Sequence, residues 1–406
     1  MRGCFFNIAT ALLLLAAFSD ASAQRLPGRN DRFPGPEVVR RPMGDIDFEM
    51  LRKPDTVTVF ILGDLMCHGK MMRSAHAIYS KTHPNASFEN PYHFDFSTFF
   101  CRLGDRIKGA DIAVGNLEFP FAGPPFSGYP SFSAPDCYAE YAAAEGFDVI
   151  LTANNHVLDQ GTPGLKRTMA VYDRMEASST ARFTGCARSA AEEAERYPLM
   201  VEARGVRIAF INFTYGTNSG ASSAWPRVEK IHREGIRAAI DRAKEKSADI
   251  IIAIPHWGEE YQMKHNASQG ELARWLVDNG VDVIVGSHPH VVQDIELLEA
   301  ESDDGTPKTV PVVYSLGNAV SNQNDLPARI EGCVTLKVVS HRGRARVLPD
   351  PGLELLWCTK AGMVDDGYSV LPVREYLGRQ DVWKVPEDYT KMVSTYEYVR
   401  KRLGIK

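Results

Sequence analysis

A chain of 406 residues, 44% hydrophobic and 24% charged, carries enough apolar material for one large core or two small ones. Its formal net charge of -5 supplies no basic field for a phosphate backbone, which argues against nucleic acid as a partner. Residues 1–23 read as an export signal: Arg2 precedes an apolar stretch from Ile8 to Phe18, and the small residues Ala21-Ser22-Ala23 stand before Gln24. That stretch is shorter than the ~20 residues of a membrane-spanning helix, so cleavage near Ala23 and a periplasmic or other extracytoplasmic location are expected. Residues 24–54, with Pro27, Pro34, Pro36 and Pro42 and no hydrophobic periodicity, read as an extended tether. Of seven cysteines, Cys4 leaves with the signal. The rest form no Cys-x-x-Cys pair, which leaves buried thiols and disulfides equally open.

The domain is expected over residues 55–345. Its first strand, Thr56 to Leu62, alternates β-branched and apolar residues and ends at Gly63-Asp64. Phe96 to Gly109 reads as a helix, and a strand from Ala110 to Val114 leads into Gly115-Asn116-Leu117-Glu118. Asp148 to Ala153 is a third strand, running into Asn154-Asn155-His156, with a helix opened by Thr162-Pro163 behind it. Val206 to Phe213 follows as a strand and Glu234 to Lys246 as a helix. Ile250 to Pro255 then runs into His256-Trp257-Gly258. Ser268 and Glu271 suggest a capping box for a helix ended by Asn279-Gly280. Val281 to Val285 runs into Gly286-Ser287-His288-Pro289-His290, and Pro311 to Tyr314 into Ser315-Leu316-Gly317-Asn318. Cys333 to Val339 is a last strand; residues 346–406 are irregular apart from a polar helix around Asp388 to Arg402, and are expected to pack on the domain as an extension.

The alternation of strand and helix gives an α/β fold, and in open α/β sheets ligands bind outside the carboxyl ends of the strands. Asp64, Glu118, Asn155, His256, His288 and His290 all stand at such ends. Imidazole nitrogens with carboxylate and amide oxygens are the donors that borderline divalent ions take, and a carboxylate such as Glu118 can bridge two of them. A lone histidine near a strand end is more often structural, and His76, His83, His93, His232, His265 and His341 are read that way. Trp257 and Glu259, beside a proposed ligand, either wall the site or touch substrate. Asn318 either contacts substrate or stabilises a turn.

The run Gly63-Asp64-Leu65-Met66, Asn116-Leu117-Glu118, Ala153-Asn154-Asn155-His156, His256-Trp257-Gly258, Gly286-Ser287-His288-Pro289-His290 and Ser315-Leu316-Gly317-Asn318 resembles the bacterial capsule-synthesis CapA family, a branch of the calcineurin-like metallophosphoesterase superfamily. The resemblance implies a four-layer α/β/β/α sandwich and a role in making, exporting or trimming an anionic cell-envelope polymer such as poly-γ-glutamate. The partners it implies are that polymer or its fragments and a membrane capsule-synthesis complex. It further implies two divalent ions (manganese, zinc or iron), one held by Asp64, Glu118 and His290 and the other by Glu118, Asn155, His256 and His288, with His156 as general acid. The chain departs from the superfamily pattern where Met66 fills a histidine slot, Glu118 replaces an aspartate and Ser287 separates Gly286 from its histidine. His68 is then a substitute nitrogen ligand, a substrate contact or a plain loop residue.

Overall fold

The computed structural model describes residues 55–220, 225–302 and 305–405, so the expected signal and tether lie outside the described residues. The chain runs β1 (Asp55–Leu65), α1 (Gly69–Ser80), β2 (Ile112–Leu117), α2 (Cys137–Ala144), β3 (Val149–Leu151), α3 (Gly161–Ser178), β4 (Arg182–Thr184), β5 (Cys186–Ala187), α4 (Ala190–Arg196), β6 (Leu199–Ala203), β7 (Val206–Thr214) and β8 (Arg227–Val228). It continues through α5 (Arg233–Glu245), β9 (Ile250–His256), α6 (Ala267–Asp278), β10 (Val283–Val285), β11 (Ile295–Glu301), β12 (Pro307–Val313), β13 (Asn318–Val320), β14 (Ile330–His341), β15 (Arg344–Val347), β16 (Leu353–Thr359), β17 (Ser369–Pro372), α7 (Val373–Tyr376) and α8 (Pro386–Leu403).

Two sheets stack face to face. The first has nine strands, with the path β17-β16-β14-β1-β2-β3-β4 and β13 and β15 paired to β1 and β14; the second follows β11-β12-β10-β9-β7-β6. Side chains alternate across a strand, and here both faces are buried, which is why the strands read as continuous apolar runs. Val57, Val59 and Ile61 of β1 point inward with Val114 and Leu151 against Ile208, Phe210, Ile252, Val283 and Val285 of the second sheet. Phe60 and Leu62, one residue out of phase, face the helical layer instead, among Met71, Met72, Tyr138, Leu165 and Met169. On the far face of the second sheet, Ala209, Ile211, Ile251 and Ile284 pack under Ile236 and Ile240 of α5 and Leu272 and Leu276 of α6. The order of layers is therefore α/β/β/α. Among the described residues no helix is long and apolar enough to cross a membrane.

The parallel pairs β1–β2, β2–β3, β7–β9, β9–β10 and β10–β12 bring carboxyl ends to one edge, with Asp64 in register with both Asn116 and Asn318. Two glycines permit the crowding there. A Cβ on Gly63 would stand 2.1 Å from the Gly317 carbonyl oxygen, and one on Gly286 would stand 2.1 Å from that of Tyr314.

Three expectations need correction. Phe96 to Gly109 holds only a 3₁₀ turn at Gly104–Arg106, because Phe96, Phe99 and Phe100 spread around Tyr138 and Tyr141 rather than along one helical face. The capping box of α6 is Asn266 with Gln269, two residues before the expected pair. Residues 346–406 are not merely a surface extension: β16 and β17 continue the first sheet beside β14. Asp388 of α8 is buried in an ion pair with Arg329, 2.8 Å from its Nη1. All six cysteines among the described residues are free.

Candidate metal centre

Asp64, Glu118, Asn155, His256, His288 and His290 meet at the shared strand edge, all of them buried. Glu118, His256 and His288 can each place a donor atom within 4.8 Å of the others, and Asp64, Glu118 and His290 do the same, so Glu118 belongs to both groups. His256 Nε2 lies 3.6 Å from Glu118 Oε1, and His290 Nδ1 lies 4.0 Å from Asp64 Oδ2.

Buried polar groups are almost always paired, and a buried carboxylate without a partner costs several kcal/mol. Yet neither oxygen of Glu118 and not His288 Nδ1 has a hydrogen-bond partner. Burial, and then the neighbouring Asp64 carboxylate, hold Glu118 well above the ordinary carboxyl range. Burial likewise raises Asp64, lowers His256 and takes His288 down to about 3. Such histidines stay neutral, which is the form that ligates metal. Two histidines also sit in left-handed backbone, at φ +98° for His288 and +58° for His290, a strained conformation that clusters at functional sites. Donors of the right chemistry, converging from five strand ends and orphaned at Glu118 and His288, fit divalent cations.

A layer of hydrogen bonds behind these groups fixes their directions. The Asn116 amide donates to Asp64 Oδ1 at 2.6 Å, and the His288 backbone N–H to Asp64 Oδ2 at 3.0 Å. Asn154 holds Asn116 in turn, donating to its Oδ1 at 3.1 Å. His256 pairs through Nε2 with Asn155 Oδ1 and through Nδ1 with the Ser287 hydroxyl, both at 2.8 Å. A hydroxyl can donate or accept, so Ser287 suits either tautomer and lets Nε2 turn its lone pair to a cation. The residue that departs from the superfamily pattern thus orients a ligand.

His156 stands beside this centre without belonging to either ligand group. Its Nδ1 lies 2.7 Å from the Asp159 carboxylate, and Phe132 packs edge-on against the ring at 4.7 Å. With Nδ1–H donating to Asp159, Nε2 is the proton-exchanging atom, approached by the Asn218 amide at 3.5 Å. Asp159 was not singled out from the sequence, and Asn116 and Ser287 stood there only as motif positions without a role. Asp159 has a sequence signal, standing three residues after His156, whereas the others acquire roles only through strand register.

The expected substrate contacts are dispersed. His68 precedes α1 and faces the centre: burial, then His290 and His156, lower it to about 3, and its Nδ1 accepts the Asn322 N–H at 3.3 Å. It belongs to neither ligand group. Asn318 is an orienting residue instead of a substrate contact, because Oδ1 accepts from His290 Nδ1 at 2.9 Å while its amide donates to the carbonyls of His290 and Ala328. Glu259 is exposed; the next residue, Glu260, is the one whose charge reaches Glu118. Trp257 points away from the site. Its indole is 2% exposed beneath α5 and α6 and donates to the Tyr314 carbonyl at 2.9 Å. Trp257→Ala should therefore cost stability, about 3–5 kcal/mol in denaturant unfolding, because it empties a core position. A raised KM with unchanged stability would restore Trp257 to the substrate site.

The family model described as bacterial capsule synthesis protein PGA_cap matches residues 58–323, which span β1 to the end of the ligand-bearing loops. The chain belongs to this family. It is 28% identical over 283 residues to the capsule biosynthesis protein CapA of Bacillus anthracis, covering 67% of this chain and 61% of that protein. To the PGA biosynthesis protein CapA of Bacillus subtilis (strain 168) it is 34% identical over 246 residues, 59% of this chain and 60% of the relative. The match thus spans about three-fifths of these relatives' own length. Among solved structures, the calcineurin-like phosphoesterase YfkN from Bacillus subtilis aligns with a TM-score of 0.40 at 14% identity, over 86% of this chain and 100% of that one. Arg329, Asp388 and the strands β14 to β17 lie beyond the family match.

Proposed function

We propose that this capsule-synthesis family member is a metal-dependent hydrolase of cell-envelope polymer metabolism, acting on a phosphoester or a γ-glutamyl amide. The observation that carries the reading is the pair of buried ligand groups sharing Glu118, neither of whose carboxylate oxygens has a hydrogen-bond partner. Asp64, Glu118 and His290 would hold one divalent ion, and Glu118, Asn155, His256 and His288 a second. When bound, such a pair supplies Lewis acidity and lowers the pKa of water.

The chain's own residues supply the rest. Asn116 and the His288 N–H hold Asp64 in place, and the wall formed by Phe132 limits water around His156. In hydrolysis the oxygen of water joins the phosphorus or carbonyl carbon as the bond to the leaving oxygen or nitrogen breaks. His156, stabilised as the imidazolium by Asp159, gives its Nε2 proton to that leaving atom and is left neutral, and the proton shed by the attacking water returns through solvent to reset it. A mere anion grip needs no such proton donor. Loading the purified protein with manganese, zinc or iron and assaying phosphodiester and γ-glutamyl substrates tests the reading. No turnover on either class, with metal bound, would replace it by a polyanion-binding role in a polymer export assembly.

The place of action is proposed to be outside the cytoplasm, supported by Ala21-Ser22-Ala23 behind a short apolar run. N-terminal sequencing of the exported protein should begin near Gln24; recovery of Met1 in a membrane fraction would make the segment an anchor.

A further inference from the structure

Many basic side chains of this protein are matched by acids: Arg102 by Asp365, Arg106 by Glu354, Arg167 and Arg174 by Asp136, and Lys81 and Lys384 by Asp366. Three beside the metal centre are not. Lys70 and Arg73, both exposed in the first two turns of α1, make no hydrogen bond or ion pair among the described residues. Lys360, half-buried just past β16, places its ammonium 2.6 Å from the neutral Asn324 amide oxygen. The position of the first two is unfavourable, because a helix N-terminus carries positive partial charge and α1 has neither an acid in its first turn nor a side-chain cap. The Arg73 guanidinium even folds back over the start of the helix, where a Cβ on Gly69 would stand 3.4 Å from it. Like charges three residues apart on a helix also repel. Cations gathered at such a cost to stability call for an anion.

A run of contacts joins this cluster to the centre. Asn322, two residues before Asn324, donates its N–H to His68 Nδ1 at 3.3 Å and accepts the Tyr368 hydroxyl at 2.6 Å. His68, the residue that precedes α1, packs on Phe132 at 5.4 Å, and Phe132 in turn meets His156 at 4.7 Å. With Nδ1 accepting, the hydrogen of the neutral His68 ring sits on Nε2, a donor without a partner among the described residues. Burial, then Arg329 and Lys70, lower the Lys360 ammonium, as befits a cation among cations. The carboxylate that bears on Lys360, Asp388, is committed to Arg329; Glu260 and Asp325 bear on Tyr261 instead. Divalent ions at the centre outweigh the charge of Asp64 and Glu118 and add to the attraction for anions.

We propose that Lys70, Arg73 and Lys360, with His68 Nε2, bind the free carboxylates of a γ-linked glutamyl chain whose amide is presented to the metal centre. In such a chain a carboxylate stands on the carbon that carries each amide nitrogen, so the charge lies beside the bond to be cleaved and needs cations of its own. In a phosphodiester polymer the charged group is the reacting group, and the metals themselves receive it. Lys360 lies beyond the residues matched by the family model, so part of this subsite comes from the C-terminal strands.

This assignment rests on the hydrolase reading only for the bond presented, and its test reads binding. Calorimetric titration of manganese-loaded protein, in a His156→Ala background that suppresses turnover, would use a γ-glutamyl pentamer, its carboxyl methyl ester and a glycerol phosphate oligomer. Lys70→Ala, Arg73→Ala and Lys360→Met should each weaken the pentamer by about 2–5-fold, the worth of one exposed charge pair, and together by roughly 10–100-fold. Lys360→Arg should bind as wild type does, and metal content should not change in any variant. The ester should bind weakly and ignore the substitutions. Wild-type affinity for the pentamer in the combined variant, or an ester bound as tightly as the acid, would overturn the assignment. A glycerol phosphate oligomer that binds more tightly than the pentamer, and loses more in the combined variant, would replace the carboxylates by a phosphodiester polymer. If the pentamer binds as described but otherwise wild-type protein hydrolyses nothing, the hydrolase reading fails and the subsite stands. If that protein hydrolyses the pentamer and the three substitutions leave KM unchanged, the subsite fails and the hydrolase reading stands.

Discussion

Glu118→Ala should leave the purified protein without bound metal at concentrations that saturate the wild type, a loss on the order of 10³-fold or more in affinity. Hydrogen-bond partners that merely orient ligands contribute about 10–100-fold, and Glu118 is the one residue common to both ligand groups. His288→Ala should weaken metal binding as well, leaving the Asp64, Glu118 and His290 group intact. Elemental analysis after dialysis reads both variants directly. Wild-type metal in each would mean that the buried carboxylate and imidazoles are structural. Acid should act in the same direction as Glu118→Ala. Because burial raises Glu118 and Asp64, their protonated forms persist to higher pH than ordinary carboxyls, so metal affinity falls as pH drops toward and below their raised values. His288, at about 3, remains neutral through that window and does not contribute to the loss.

His156→Ala should lower turnover by on the order of 10²–10⁴ with metal content unchanged, since the residue stands outside both ligand groups and general acid catalysis contributes that much. A nitrophenolate leaving group needs no proton, so nitrophenyl esters should lose far less than alkyl esters. An equal loss on both would remove His156 from the proton-donor role, and lost metal would make it a ligand. Asp159→Asn should follow the same pattern more weakly, because it disturbs the 2.7 Å contact that fixes the imidazole and leaves the ring in place.

The strand-end residues were readable because β1, β2, β3, β9 and β10 are short apolar runs buried on both faces, and each run ends abruptly in polar residues. Their order in the chain and the rule about carboxyl ends then bring Asp64, Glu118, Asn155, His256, His288 and His290 together. What periodicity does not carry was missed. α1 and α2 were not foreseen, and the phenylalanines from Phe94 to Phe100 owe their positions to a three-dimensional aromatic cluster. Asn266-x-x-Gln269 and Ser268-x-x-Glu271 are both possible capping boxes. The first prevails because Gln269 is buried and also donates to Gln293 at 2.9 Å. Trp257 shows the limit of adjacency: next to a ligand in sequence, it faces the opposite side of the sheet, as alternation along a strand requires.

The most direct measurement is anomalous X-ray scattering from crystals of the protein grown with manganese. Two peaks about 3.5–4 Å apart, with the Glu118 carboxylate between them, are expected for a two-metal centre. One peak would reduce the site to a single ion, and the absence of any peak within reach of Glu118 would contradict the account.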